Sequence, residues 1–336
     1  MSTPTQTSQP PLGGTGVTWH VRAWSSFCSS TVLTDTVKGT TRTPLLLILA
    51  AGLALAGCSG RSPLAPTAPT AIALIPAIAH GRVAIISIDG LRPDAILQTG
   101  APNILALAGR GSYSWRAQTI LPSNTLPSHI SMLTGYTPED HGVTWDDYAP
   151  ARGHIMVQTI FGIARAKGLR TGMVVGKEKF AHFRDTGACD TWVLSALGDD
   201  DVASRVGAAT LIRPDLLFVH LPDVDLVGHG SKWMSEAYLA AVRRADAAVG
   251  RIVAALPADT TIILTADHGG RPEGHGSDST LDTTIPWIVA GPSTARGHQL
   301  TAGVRTVDTA ATAAFVLGVE LQPDAPGQPI YEAFMK

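Results

Sequence analysis

Between residues 82 and 336, short and almost unbroken apolar runs alternate with longer stretches of helical period. The runs cover 83–88, 171–175, 215–221, 261–265 and 285–289. Runs this short and this uniformly apolar predict strands buried on both faces, as in a parallel sheet. Helical patterning covers 102–109, 125–133, 158–166, 235–256 and 307–317. The longest of these carries Ala237, Ala240, Ala241, Ala245, Ala248, Val249 and Ile252 at helical spacing, with Arg243, Arg244 and Arg251 among them. That pattern predicts an amphipathic helix lying on a sheet. Strand–helix alternation predicts an α/β sandwich, and no internal repeat of fixed period is present.

Upstream the pattern changes. An apolar run at 45–56 follows Lys38 and Arg42. It is shorter than the roughly 20 residues a spanning helix needs, and it suits the apolar centre of a signal peptide. It ends in Leu55-Ala56-Gly57-Cys58, which resembles a bacterial lipobox, where the cysteine becomes the lipidated first residue. An ordinary signal peptide cleaved nearby and a buried helix are the other readings. Residues 1–36 are polar and precede the basic segment, so translation is expected to start near Val37. Residues 59–81 are rich in Pro, Ala, Ser and Thr and suit a semi-extended tether. The expected organisation is a leader over 1–58, a tether over 59–81 and one catalytic domain over 82–336. The expected location is the bacterial cell envelope, periplasmic or at the outer membrane. There a lipid on Cys58 would tether a soluble domain without spanning the bilayer.

Composition narrows the function classes. The chain has 336 residues, 45% of them hydrophobic, enough for a sizeable core. A net charge of −2 gives no electrostatic reason to expect nucleic-acid binding. Cys28, Cys58 and Cys189 are too few for a disulfide scaffold and lack zinc-ribbon spacing.

The chemistry lies in one ordered set of residues. Asp89 ends the first apolar run, Asp225 and His229 follow the run at 215–221, and Asp267-His268 follow that at 261–265. His275 comes next, behind Gly269, Gly270 and Gly274. Three Asp and three His divide into two sets of three, which is what a pair of zinc ions needs. Mixed Asp/His ligation favours Zn²⁺, with Mn²⁺ or Fe as alternatives. Open α/β sheets bind ligands beyond the carboxyl ends of their strands, and three of these motifs fall there. Thr125 is the candidate nucleophile; taken alone, it reads as a helix N-cap.

The order resembles the alkaline phosphatase superfamily, and most closely its type I phosphodiesterase/nucleotide pyrophosphatase branch. The matching pieces are Ile88-Asp89-Gly90-Leu91-Arg92-Pro93-Asp94, the segment from Leu121 to His129, the segment from Leu133 to Gly142, Asp225 to His229, and Ala266-Asp267-His268-Gly269. The resemblance implies a three-layer α/β/α sandwich with a mostly parallel central sheet. It implies one metal held by Asp89, Asp267, His268 and the Thr125 hydroxyl, and another held by Asp225, His229 and His275. Such metals lie ~4 Å apart and clamp the attacking and leaving oxygens of an in-line displacement. It implies a small phosphate-ester substrate and a phospho-threonine intermediate hydrolysed by water. The Leu126 N–H, at a helix start, would then bind a phosphoryl oxygen.

The chain departs from the family pattern in two places. An Asn that contacts a phosphoryl oxygen in the family is Asp146 here. A carboxylate there repels a phosphoryl group unless it is protonated, bound to a cation or turned away. The long cap insertion is also missing, because only Gly269 to Gly274 separate His268 from His275. An uncapped site should be open and poorly selective for the leaving group.

Three further features stay open. Lys177 and Lys179 resemble the paired lysines that hold a substrate carboxylate in the superfamily's phosphonoacetate hydrolases; the other reading is a solvated charged loop. Trp145 reads as a stacking platform or as packing. Asp223 reads as support for the ligands beside it. A sulfatase is disfavoured, since Thr125-Leu126-Pro127-Ser128-His129 has no residue for formylglycine formation. A metal-binding lipoprotein that lost catalysis remains the reading from another class.

Overall fold

The computed structural model describes residues 81–335. The leader, Cys58 and the tether up to residue 80 lie outside the described residues. Eight strands form one sheet: β1 (Arg82–Ile88), β2 (Ser112–Gln118), β3 (Thr171–Val175), β4 (Thr191–Leu194), β5 (Leu216–Leu221), β6 (Thr260–Thr265), β7 (Thr284–Ala290) and β8 (His298–Gln299). Their order across the sheet is β4-β3-β5-β1-β6-β7-β2-β8. From β4 to β6 every pairing is parallel. β7 is antiparallel to both β6 and β2. The sheet is therefore mostly parallel, as expected. The run at 285–289 is a central strand of reversed direction. Direction leaves no trace in the composition of a strand buried on both faces.

Helices cover both faces of the sheet. One layer holds Pro93–Thr99, Pro102–Arg110, Asp199–Ala209, Asp223–Ser231 and Glu236–Ala255; the other holds Thr125–Thr134, Pro138–His141, Ile160–Ala166 and Asp308–Leu317. The Glu236–Ala255 helix starts where the Ser235 hydroxyl accepts the Tyr238 N–H at 3.2 Å. Its buried face carries Leu239, Val242, Val249 and Ile252, while Arg243, Arg244 and Arg251 stay in solvent. Each such aliphatic side chain contributes about 1.5–3 kcal/mol of burial. Its buried Asp246 accepts from the Ile104 N–H at 2.8 Å and the Asn103 Nδ2 at 2.8 Å. This satisfies free amides at the start of the Pro102–Arg110 helix.

Three strands carried no clear apolar signal, β8 being only the two polar residues His298 and Gln299. β2 buries Ser112, Ser114 and Ala117, which are small rather than apolar. β4 is a half-buried edge strand.

Candidate active site

β3, β5, β1 and β6 are neighbours and run parallel, so their carboxyl ends open on one edge of the sheet. Lys177 follows β3, Asp225 and His229 follow β5, Asp89 follows β1, and Asp267-His268 follow β6. Topology alone thus gathers segments far apart in sequence.

The turn after β1 needs a glycine. Gly90 has φ +68°, and a Cβ there would stand 3.0 Å from the Asp225 Cα and Cβ. The Gly90 N–H donates to Asp267 Oδ1 at 3.1 Å, and its carbonyl accepts from Trp233 Nε1 at 3.0 Å and Tyr238 Oη at 2.8 Å. Asp225 and His229 lie on one helix, Asp223–Ser231, whose i,i+4 spacing puts them on one face. His275 is delivered by a tight turn in which Arg271 and Gly274 exchange backbone hydrogen bonds. The buried Asp282 fixes that turn by accepting from Arg271 Nε at 3.2 Å and Ser277 Oγ at 2.6 Å. Arg92 pairs with Asp94 and donates to the Gly270 carbonyl at 3.1 Å, bracing the same turn.

The six Asp and His side chains gather in two overlapping groups, one of Asp225, His229 and His275, the other of Asp89, Asp225 and His268 with Asp267 beside His268. Asp225 Oδ1 lies 3.4 Å from His229 Nε2 and 3.6 Å from His275 Nε2, and the two histidine nitrogens are 3.1 Å apart. In the second group His268 Nε2 lies 3.5 Å from Asp89 Oδ1, 3.2 Å from Asp267 Oδ2 and 3.4 Å from Thr125 Oγ1. Four ligands about 2.05 Å from a zinc ion lie about 3.3 Å from one another along the tetrahedral edges. The three atoms of the first group have that spacing, and His268 Nε2 has it to Asp89, Asp267 and Thr125; Asp89, Asp225 and His268 also converge closely enough to share one ion. Asp89 Oδ1, Asp225 Oδ1 and Asp267 Oδ2 are also buried and receive no hydrogen bond. Buried carboxylate oxygens without a donor are costly, and a cation satisfies them. The donor set fits divalent metal.

Surrounding groups fix these side chains. His268 Nδ1 bonds the Gly269 carbonyl at 2.8 Å and His275 Nδ1 the Ser123 carbonyl at 2.9 Å. A carbonyl only accepts, so each Nδ1 carries the proton and each Nε2 keeps its lone pair. His220, on β5, accepts the Gly176 N–H at Nδ1, so its Nε2–H donates to Asp89 Oδ2 at 2.8 Å. His129 bonds the Thr125 carbonyl at 2.7 Å through Nδ1 and Ser87 Oγ at 2.8 Å through Nε2. Burial holds the His129, His220, His229 and His275 side chains below the ordinary histidine value, which favours the neutral form a metal requires. The sequence reading gave no role to His129, His220 or Asp282. The one signal for His220 was a histidine inside an apolar run.

Both lysines are engaged by the protein's own carboxylates. Lys177 Nζ lies 2.7 Å from Asp89 Oδ2 and 2.7 Å from Asp225 Oδ2, joining one residue of each group. Burial pushes the Asp89 carboxyl up, but Lys177 and His220 together hold it well below the usual range. Asp267 is pushed the other way by burial and by the Asp89 charge. Lys179 Nζ lies 2.7 Å from Asp146 Oδ2, and Asp146 Oδ1 accepts the Leu126 N–H at 2.7 Å. The segment is therefore not a solvated loop.

Thr125 begins the Thr125–Thr134 helix. Its N-cap residue Asn124 makes no side-chain cap, which leaves the first amides to other partners. Trp145 is packing: it is buried, with the Arg152 guanidinium 5.0 Å from its ring centre. Asp223 corrects the expectation of ligand support. It trades hydrogen bonds with Asp199, each carboxylate accepting the other's backbone N–H at 3.0–3.1 Å.

Residues 83–280 match the sequence profile of type I phosphodiesterase / nucleotide pyrophosphatase. The chain belongs to this family. A pyrophosphatase/phosphodiesterase of Schizosaccharomyces pombe, itself uncharacterized, is 26% identical over 240 residues, 63% of this chain and 48% of that protein. The 2,3-bisphosphoglycerate-independent phosphoglycerate mutase of Rhodopirellula baltica is 37% identical over 126 residues, 35% of this chain and 22% of that protein. The chain thus spans half or less of the length of these two relatives. Among solved structures, murine ectonucleotide pyrophosphatase / phosphodiesterase 5 superposes with a TM-score of 0.65 at 12% identity, over 76% of this chain and 100% of that one. A 2-O GAG sulfatase, BT1596, superposes with a TM-score of 0.62 at 14% identity, over 76% and 74%. These likenesses establish the alkaline phosphatase-like sandwich.

Proposed function

We propose that the chain hydrolyses phosphate esters through a phospho-threonine intermediate on Thr125, with two divalent metals, zinc first among them. The observation that carries this reading is the convergence of two overlapping groups of Asp and His donors, with the Thr125 hydroxyl 3.4 Å from His268 Nε2. Asp89, Asp267, His268 and Thr125 would hold one ion, and Asp225, His229 and His275 the other. When bound, such ions supply positive charge that lowers the Thr125 pKa and offsets charge on phosphoryl oxygens.

This chain's own residues do the rest. Thr125 Oγ1 forms the new bond to phosphorus while the bond from phosphorus to the leaving oxygen breaks, that oxygen keeping the electron pair. Water then cleaves the phosphorus–Oγ1 bond and restores Thr125. The helix N-terminus behind Thr125 favours the negative phosphoryl group; Asn124 makes no side-chain cap there, and the Leu126 N–H already serves an anion, Asp146. His129 pins the Thr125 carbonyl, and so the helix start, to the sheet through Ser87. Only Gly269 to Gly274 separate His268 from His275, too few for a cap insertion there, which fits small phosphate esters of varied leaving group. Cys58 is proposed as a lipid anchor on its Leu-Ala-Gly-Cys context; loss of membrane association in Cys58→Ala tests it.

The deciding assay is hydrolysis of bis-p-nitrophenyl phosphate by zinc-replete protein. Turnover should vanish with chelator and fall by on the order of 10³-fold or more in Thr125→Ala. Turnover that survives Thr125→Ala would reject the nucleophile. No turnover by zinc-loaded wild type would favour the metal-binding lipoprotein.

A further inference from the structure

The Leu126 N–H is the amide next to the nucleophile, and its partner is an anion of the protein itself. Asp146 Oδ1 accepts it at 2.7 Å while Asp146 Oδ2 pairs with Lys179 Nζ at 2.7 Å. The carboxylate thus bridges an amide donor and an ammonium one residue from Thr125. That is the arrangement a phosphoryl group would make with the same two donors.

The two partners differ in how they are held. Lys179 sits in the turn Glu178–Phe180, anchored by Phe180, which is fully buried against His129 and His220. Its side chain is 16% exposed. Asp146 lies on irregular backbone beyond Gly142, and its side chain is 35% exposed. The ammonium is fixed and the carboxylate has room to leave.

We propose that Asp146 is a displaceable internal competitor for the phosphoryl subsite. A phosphoryl oxyanion takes the Leu126 N–H from Asp146, and Lys179 changes partner from the carboxylate to the incoming oxyanion. The two anions cannot share the donors, because like charges at contact distance repel strongly in a partly buried site. This inference rests on the proposed reaction at Thr125 and assigns Lys179 to the substrate's phosphoryl group.

Titration of metal-replete protein with inorganic phosphate and with orthovanadate, followed by calorimetry, tests it. Asp146→Ala should bind both about tenfold more tightly than wild type, the scale of one charge-assisted hydrogen bond freed. Asp146→Asn keeps the shape and an acceptor but removes the charge, and should fall between the two. Lys179→Met should bind about tenfold more weakly. With an ester substrate, Asp146→Ala should lower KM more than it changes kcat. Unchanged or weaker phosphate binding in Asp146→Ala overturns the proposal, as does the absence of binding in both proteins. Failure of the hydrolase reading looks different: no variant turns over ester, while the phosphate titrations still rank the variants.

Discussion

His275 Nε2 stands 3.1 Å from His229 Nε2, although the two residues come from different segments of the sheet edge. Desolvation shifts both rings towards the neutral form, and His275 carries its proton on Nδ1 against the Ser123 carbonyl. The His275 Nε2 lone pair, the His229 Nε2 and Asp225 Oδ1 converge closely enough to share one cation. Wild-type protein should therefore hold ~2 zinc ions per chain and His275→Ala ~1. Metal analysis after dialysis reads this directly, and equal zinc content in both proteins would contradict it.

Lys177 should act in opposite directions with and without metal. In chelated protein it is the cation that offsets buried Asp89 and Asp225. Removing one partner of a buried pair costs about 3–5 kcal/mol, so chelated Lys177→Met should be destabilised by that order. Zinc supplies the missing charge, so metal should raise the melting temperature of Lys177→Met more than that of wild type. Thermal melts with and without zinc check it; an equal metal-induced rise would show that Lys177 does not offset the ligands.

His220→Ala should weaken zinc binding without removing a ligand. Its Nε2–H donates to Asp89 Oδ2 at 2.8 Å and orients the carboxylate whose Oδ1 faces His268. Loss of such a partner costs about 10–100-fold in metal affinity. Competition with a zinc indicator measures the change, and unaltered affinity would assign His220 to packing alone.

Stability should fall as pH rises across the acidic range. Burial, helped by the Asp223 charge, pushes the Asp199 carboxyl up to about 7. The unfolded value is about 3.9, so between roughly pH 4 and 7 the native state binds more protons than the unfolded chain. Its contribution is therefore present below the unfolded value and lost as pH climbs through the folded one, by at most about 4 kcal/mol. Asp199→Asn keeps an acceptor for the Asp223 N–H without the charge. It should flatten this slope and exceed wild type in stability at pH 8. Urea unfolding at pH 5 and pH 8 measures both, and identical slopes would dismiss the titration.

Much of the framework was legible because burial writes itself into composition. The runs that became β1, β3, β5, β6 and β7 are mostly apolar, since both faces of each are covered by helices. β2 escaped notice because its buried positions need small side chains, and the Asp223–Ser231 helix because its residues were read as ligands on a loop or a single turn. The order and type of the Asp, His and Thr residues pointed to a two-metal hydrolase because metal chemistry restricts which residue types serve as ligands.

What the linear chain could not carry is which groups already satisfy one another. Lys177 and Lys179 are ordinary charges in sequence, and Asp146 is a single departure from a family pattern. Only the packing of the β3 turn against the ends of β5 and β1 puts Lys177 between the Asp89 and Asp225 carboxylates. Only the meeting of the Asp146 segment with the Thr125–Thr134 helix puts a carboxylate on the Leu126 amide. Such pairings depend on distance in space, through charge and hydrogen-bond terms that decay within a few ångströms. Sequence therefore determined the residue types and their order, and tertiary structure decided their partners.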